Sequence, residues 1–346
     1  MTHPRHIGML LLLALSLTSC APHPRTETLT GRTMGTTYSI RIAQAHLNRR
    51  ELQTLHESID AVLAEVNRQM STYLPDSEIS RFNQTGANTP MTVSSDFFYV
   101  VRQALDLAQA TGGAFDPTVG ALVNLWGFGP DGTLSKRPTP EQVERTRQLV
   151  GYSHLLLGEN HQLSKDIANL HLDLGAIAKG FGVDQVADLL RLHNLIHFIV
   201  EIGGETLAEG TKAEGEPWRV GVLRPDFSGR SIQGVAHLTG GKAIATSGNY
   251  RNFFRDENGV LQAHIIDPRT AAPAQRDVAS VSVWANDCLT ADGLATALVV
   301  LGPEEGLRML NTRFPGVEAL FILSPTENQY EEIATPGFAA ALRYEH

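Results

Sequence analysis

A chain of 346 residues has room for one large domain or two ordinary ones, and ample length to bury a core. Its apolar fraction of 42% and charged fraction of 19% are those of a folded globular protein and exclude a disordered one. A formal charge of -9, with no cluster of Lys or Arg beyond pairs such as Arg49-Arg50, argues against nucleic acid as a partner.

At the N-terminus, Arg5 with His3 and His6 precedes the apolar run Met9–Leu17, which is too short to span a bilayer. It reads as the core of a signal peptide over residues 1–19. Leu17-Thr18-Ser19-Cys20 is similar to a bacterial lipobox, in which the cysteine is acylated and becomes the mature N-terminus. The simpler alternative is an ordinary secretory signal with an incidental cysteine. Lipid on Cys20 would anchor the protein to a membrane without spanning it. Residues 20–30, with Pro22, Pro24 and several Thr, then form a flexible tether to one domain over 31–346. Cys288 is left alone in the mature chain, so it is expected to be a small buried hydrophobe rather than half of a disulfide.

From Thr33 the run TMGTTYSIRI alternates, with Tyr38, Ile40 and Ile42 on one face, and predicts a strand. Leu52, Leu55, Ile59, Val62, Leu63, Val66 and Met70 recur every three or four residues and define a long amphipathic helix. In MSTYLPDSEISRFN, Ser71-Thr72-Tyr73 lies in a turn, and Asp76 and Ser77 can cap a short helix through Arg81. Ser94 or Ser95 caps the next helix, through Phe98, Val101, Leu105 and Ala108, and Gly112-Gly113 end it. In GAFDPTVGALVNLWGFG, Asp116 precedes a proline and is held out of helical conformation, while Thr118 can start another helix. Residues 127–138 read as a loop, and Thr139 to Gln142 make a capping box that opens a surface helix to Val150.

The chain is organised around DLGAIAKGFGVD, residues 173–184. The alternation of Leu170, Leu172 and Leu174 predicts a strand feeding into it, and Gly175, Gly180 and Gly182 sit where a helix should begin. Glycines there let backbone approach a ligand closely, and a helix start offers free N–H groups to an anion. Lys179 adds a mobile positive charge. Together these describe a phosphate site. The spacing is only a near miss to a P-loop, because Phe181 stands where the lysine belongs and no Ser or Thr follows.

After this turn, Val183, Val186, Leu189 and Leu190 carry a helix to about Asn194. IHFIVEIGGE predicts a buried strand and a Gly203-Gly204 turn, and WRVGVLRP, GVAHLT and AIATSG predict short strands in antiparallel meanders. His264 ends a strand in HIIDPRTAAPA, where a lone histidine is usually structural. In NDCLTADGLATALVVLG, Asp287 can cap a helix, and Asp292 and Thr296 share one face of it. A carboxylate with a hydroxyl suits a hard cation such as Mg²⁺ or Ca²⁺. Two ligands are not a site, and by themselves they read as a capped helix start. Gly302-Pro303-Glu304 starts a further helix, and VEALFIL closes with a core strand.

These segments, together with SGNYRNFF, resemble the ApbE family of flavin transferases over roughly residues 31–340, in the family's order. The departures are small: GFGVD where many relatives have Gly-Tyr-Ala-Val-Asp, and Asn249 where an acid often sits. The resemblance implies an α+β fold of antiparallel sheets with flanking helices in one compact unit. It implies that Met34 and Tyr73 lie against the flavin, and that Ala114, Phe115, Asp116, Asp173, Lys179, His264 and Ile265 contact FAD. It places a divalent metal on Asp292, Thr296 and the backbone carbonyl of Ala176.

The activity so implied is transfer of FMN from FAD to a Thr or Ser hydroxyl of a membrane or periplasmic electron-transfer protein. Such a phosphoryl transfer depends on positioning and charge neutralisation, which a metal and Lys179 would supply. The acceptor's proton would pass to His264, with Asp292 the second candidate. The implied location is the periplasmic side of the inner membrane, through the lipid anchor. Two other readings share these motifs: hydrolysis of FAD to FMN and AMP, and a lipoprotein that only binds flavin.

Overall fold

In the computed structural model the described residues are 25–130, 137–225, 231–238, 240–249, 253–257, 259–274, 277–324 and 329–344. The expected signal peptide and lipidation site Cys20 lie outside them, as does the Tyr250-Arg251 part of SGNYRNFF.

Eight strands form the central sheet: Arg25–Thr33, Thr36–Ala45, Phe198–Ile202, Glu205–Glu209, Lys242–Gly248, Val278–Ala285, Glu318–Leu323 and Glu331–Ala334. They are neighbours in that same order, every pair antiparallel. The helices are α1 (Arg49–Met70), α2 (Glu78–Asn83), α3 (Ser95–Ala110), α4 (Gly120–Leu125), α5 (Pro140–Arg147), α6 (Ala178–Leu192), α7 (Cys288–Arg313) and α8 (Pro336–Ala341). This is the expected α+β class.

Period-2 alternation divides the sheet's side chains between two cores. Ile40, Val200, Leu207, Ala245, Val283 and Phe321 point into the larger one, with α1, α6 and α7. Ala43, Ile199, Ala208, Ile244 and Leu320 point the other way. They meet α8 and a small sheet of Trp218–Leu223, Ile232–Leu238 and Leu342–Arg343. Cys288 is fully buried and free, as expected.

Ser77, Ser94, Thr139 and Asp287 cap their helices through the predicted hydrogen bonds. Gly302, with a φ of 74°, breaks α7 just before Pro303, where the sequence starts a second helix. On α3 the buried face is Phe97, Val100, Val101, Ala104, Leu107 and Ala108, rotated from the one the sequence suggests.

Three expectations are corrected. Residues 25–30 belong to the first strand rather than to a flexible tether: Thr28, Leu29 and Thr30 pair with Arg41, Ile40 and Ser39, and the β-branched threonines favour that conformation. Met34 is in the hairpin turn rather than the strand, with Met34 and Gly35 both left-handed at φ 48° and 71°. Leu170, Leu172 and Leu174 are buried, but within 170–174 only His171 makes a bridge, to Val119, and no ladder forms. Side chains and a loop carbonyl replace the ladder. Asn83 Oδ1 accepts from Leu172 N at 2.7 Å, Asn83 Nδ2 donates to Leu172 O at 2.9 Å, and Pro117 O accepts from Asp173 N at 2.7 Å.

The glycines of the central stretch have a packing role that spacing alone does not reveal. A Cβ on Gly180 would overlap the carbonyl oxygen of Cys288 and lie 2.8 Å from Leu289 Cα, so α6 and α7 cross with their backbones touching. A Cβ on Gly182 would crowd only the flexible Met34 Cε, at 2.7 Å, with Ile202 Cδ1 and Leu63 Cδ2 at ordinary contact distances of 3.6 and 3.7 Å. Gly180→Ala gains about 1 kcal/mol of helix propensity, but overpacking against rigid backbone costs about 1–3 kcal/mol or more. The variant should therefore unfold at lower urea than wild type, and Gly182→Ala should lose less. Equal urea midpoints for Gly180→Ala and wild type would show that the crossing does not need this glycine.

Candidate active site

At one end of the central sheet a cavity of about 690 Å³ opens, within the usual range of small-molecule sites. The Met34-Gly35 turn, Gly203 and Glu205, the strand end Thr246–Gly248, the start of α6 and the first turns of α7 all reach it. So do segments of loop, and Met34, Tyr73, Ala114, Phe115, Asp116, Asp173, Ala176, Lys179, His264, Ile265, Asp292 and Thr296 all line this one space. Residues singled out from separate motifs are thus brought together by the fold.

Its ionic centre is buried. Asp292 Oδ2 accepts from the backbone N of Gly180 at 2.9 Å, and Lys179 Nζ donates to Asp292 Oδ1 at 3.5 Å. The same ammonium lies 3.1 Å from Glu205 Oε1. Glu205 Oε2 is buried and has no hydrogen-bond partner among the described residues. Burial pushes the Glu205 carboxyl up to about 7, against the pull of Lys179 and with the push of Asp292. Burial likewise raises Asp292. For Lys179, burial works against the charge, yet the two carboxylates outweigh it and hold the ammonium above its ordinary range.

Two expectations change here. Lys179 is not a mobile cation but is held between two carboxylates, and the α6 start does not offer a fully free set of N–H groups, because Asp292 occupies Gly180 N.

The donors near Asp292 are oxygens. Thr296 Oγ1 lies 3.0 Å from Ser247 Oγ, and Ala176, in the turn before α6, lines the same cavity. Among the described residues no group of three or more His, Cys, Asp or Glu could hold a metal. A cation here would therefore rely on hydroxyl and carbonyl oxygens beside Asp292. That all-oxygen donor set fits a hard cation such as Mg²⁺ or Ca²⁺.

The walls have other jobs. Asp116 Oδ1 accepts from Thr118 N at 2.8 Å and Thr118 Oγ1 at 2.6 Å, while Oδ2 accepts from Tyr152 N at 2.9 Å. Its carboxylate is therefore spent on tying loop 116–118 to 151–152. Asp173 Oδ1 accepts from Gly175 N at 2.7 Å and shapes the turn. Tyr73 is 69% exposed, so it stands at the rim of the cavity. The Phe128 ring lies 5.6 Å from Phe254 and 6.3 Å from His264.

Glu205, Ser247 and Phe128 were not anticipated. Glu205 had a faint signal, an acid following a Gly-Gly turn at the head of an apolar strand. Ser247 and Phe128 lie inside the motifs AIATSG and VNLWGFG without any local mark of a role.

An apolar, partly aromatic wall around a buried oxygen-rich ion cluster defines a site for an extended ligand with an anionic part. The chain belongs to the ApbE family, whose profile matches residues 34–321. It is 44% identical over 332 residues to a FAD:protein FMN transferase of Vibrio cholerae, covering 96% of each chain. A protein of the same description from Haemophilus influenzae is 42% identical, with 94% of each covered. Among solved structures, the flavin transferase ApbE from Vibrio cholerae superposes with a TM-score of 0.83 at 42% identity, over 92% of this chain and 100% of that one. The ApbE protein of Thermotoga maritima gives 0.81 at 30% identity, again over 92% and 100%.

Because Asp116 serves the protein's own donors, its loss should first be a loss of stability. Asp116→Ala strands buried N–H groups at a cost of about 1–3 kcal/mol each, whereas Asp116→Asn keeps an acceptor and should cost less. Urea unfolding of both variants measures this. If Asp116→Ala is as stable as wild type but binds ligand poorly, the carboxylate belongs to the ligand instead.

Proposed function

We propose that this chain transfers FMN from FAD to a Thr or Ser hydroxyl of a partner electron-transfer protein and releases AMP, with Mg²⁺ or Ca²⁺ in the site. The observation that carries the reading is the convergence of residues from Met34 to Thr296 on one cavity that holds both an apolar wall and an ion cluster. The transferase descriptions of relatives that align over nearly the whole chain support it.

In this reading the flavin lies toward Met34 and Tyr73, and the pyrophosphate toward the α6 start. The acceptor oxygen forms a bond to the FMN phosphorus, the bond from that phosphorus to the AMP phosphate breaks, and the acceptor's proton passes to His264. Asp292, Thr296 and the Ala176 carbonyl would hold the cation, which when bound neutralises charge on the pyrophosphate. Lys179 and Glu205 set the electrostatics of that contact. Ala114, Phe115 and Ile265 are apolar and nearly fully buried, so they shape the wall and exclude water.

The acceptor belongs to a membrane or periplasmic redox complex in this proposal, and the enzyme is held at the periplasmic face of the inner membrane by lipid on Cys20. None of the helices among the described residues is long and apolar enough to cross a membrane.

Asp292→Asn keeps an acceptor for Gly180 N while removing the charge, so transfer should be lost with the fold retained. Covalent flavin fluorescence on the acceptor, read with and without chelator, checks this; transfer at the wild-type rate in chelator would sink the cation assignment. His264→Ala should cut turnover by about 10²–10⁴-fold, the usual range for a general base, with a much smaller change in FAD affinity. Poor FAD binding with normal transfer at saturating FAD would make His264 a ligand rather than the base.

A further inference from the structure

Glu205 is the least explained group in the cavity. It is a carboxylate at the head of strand Glu205–Glu209, 4% exposed, with one oxygen on Lys179 and the other unpartnered among the described residues. A buried carboxylate oxygen without a donor is costly, on the order of 1–3 kcal/mol or more, and such a group calls for an explanation.

The geometry around it supplies one. Lys179 reaches both carboxylates, at 3.1 Å to Glu205 and 3.5 Å to Asp292. Its side chain is 29% exposed, against 5% and 3% for the two acids, so of the three the held lysine is the one that borders open space. A divalent cation and an ammonium cannot share Asp292 Oδ1 without strong repulsion, since like charges a few ångström apart in a poorly solvated site oppose each other. Gly180 N already takes Oδ2. Cation binding at Asp292 therefore requires the ammonium to withdraw, and Glu205, already 3.1 Å from it and with Oε2 unpartnered among the described residues, has the capacity to hold it.

Resting on the cation site proposed above, we propose that Lys179 bridges Asp292 and Glu205 until a divalent cation arrives at Asp292, and that Glu205 is the positioning residue that then keeps the ammonium. Lys179 and the cation compete for one carboxylate. Glu205 acts only through Lys179: it lowers the cost of the withdrawal and keeps the displaced ammonium at the cavity wall.

The arrangement has a consequence of definite sign. When the binding-competent state is only a minor fraction of the free protein, apparent affinity is reduced by that fraction. Removing the lysine should therefore tighten cation binding, and removing Glu205 should weaken it, but only while the lysine is present.

The test is Mn²⁺ binding to the full chain without FAD, followed by the electron paramagnetic resonance of free Mn²⁺. Lys179→Met should bind about tenfold more tightly than wild type or better, the effect of freeing a site whose competent fraction is about one tenth. Glu205→Gln should bind about tenfold more weakly. In the Lys179→Met background the same Glu205→Gln change should have little effect, and this double-mutant cycle is the deciding measurement. Equal weakening by Glu205→Gln in both backgrounds would mean that Glu205 acts by its own charge or as a ligand, and would overturn the proposal. Unchanged or weaker binding in Lys179→Met would overturn the competition. If Asp292→Asn binds Mn²⁺ like wild type, the cation site itself is wrong and the proposal falls with it. If Asp292→Asn abolishes binding while the other variants match wild type, only the proposal falls. Should Lys179→Met alone not fold, as circular dichroism would reveal, the double variant compared with Glu205→Gln carries the test, because removing the lysine there must tighten binding.

Discussion

Everything at this site depends on the crossing of α6 and α7 at Gly180. The first N–H groups of a helix lack partners within it and must find them elsewhere. The N-cap of α6, Ile177, offers no side-chain hydrogen bond, and Asp292 of α7 serves instead, accepting from Gly180 N. In return Asp184 of α6 accepts from Cys288 N at 2.8 Å and Leu289 N at 2.9 Å, at the start of α7. Burial pushes Asp184 up to about 7 even though both N–H groups pull it down, so the tie is made in a poorly solvated place. Each helix thus satisfies the start of the other. The exchange works only because Gly180 has no Cβ to hold the backbones apart.

That crossing fixes Asp292 against the first turn of α6 before any ligand is present, so its carboxylate is preorganised at the cavity wall. It also explains why the ion cluster is tolerated. Two buried carboxylates sharing one ammonium are a poor device for stability, since desolvation of charges can exceed their mutual attraction, and a well-packed apolar trio would often do as well. An unpartnered oxygen on Glu205 makes the case against a purely structural role stronger. A cluster short of positive charge, at the wall of a cavity, is better accounted for by what it binds.

The sequence made much of this visible, though unevenly. Hydrophobic period and capping chemistry identified α1, α2, α3, α5, α6 and α7 and the inward face of Thr36–Ala45, because those signals are local. The motif residues converged on one cavity because they lie at turns and helix starts, where composition is distinctive. What stayed hidden is what depends on a distant partner. Leu170, Leu172 and Leu174 alternate as a strand would, yet Asn83 and Pro117 take the place of a neighbouring strand. The glycines look like ligand glycines until α7 is seen against Gly180 and Met34 against Gly182. Lys179 looks like a free cation until Glu205, 26 residues on, is folded beside it. Its charge was legible and its pairing was not.

Met34 shows the same division from the other side. A two-residue hairpin turn with both residues left-handed favours Asn-Gly or Gly-Gly, and a long unbranched side chain at φ 48° carries a cost on the order of 1 kcal/mol. Nothing in the ladder Arg25–Thr33 with Thr36–Ala45 requires methionine there. Two features hold the residues flanking it, and one makes room for its side chain. Asn67 Nδ2 donates to Thr33 Oγ1 at 2.9 Å and steadies the approach to the turn. The adjacent Gly203 turn packs on Thr36, with space for a Cβ blocked by Thr36 Cγ2 at 2.8 Å. Gly182, inside α6, leaves the room that Met34 Cε fills. A residue unfavourable for its own backbone, in a turn held on both flanks, is kept for its side chain, which packs on Gly182 and lines the cavity. The strain at the turn and the missing Cβ in α6 are therefore two halves of one feature, a methionine side chain fitted between the hairpin and α6 at the cavity wall.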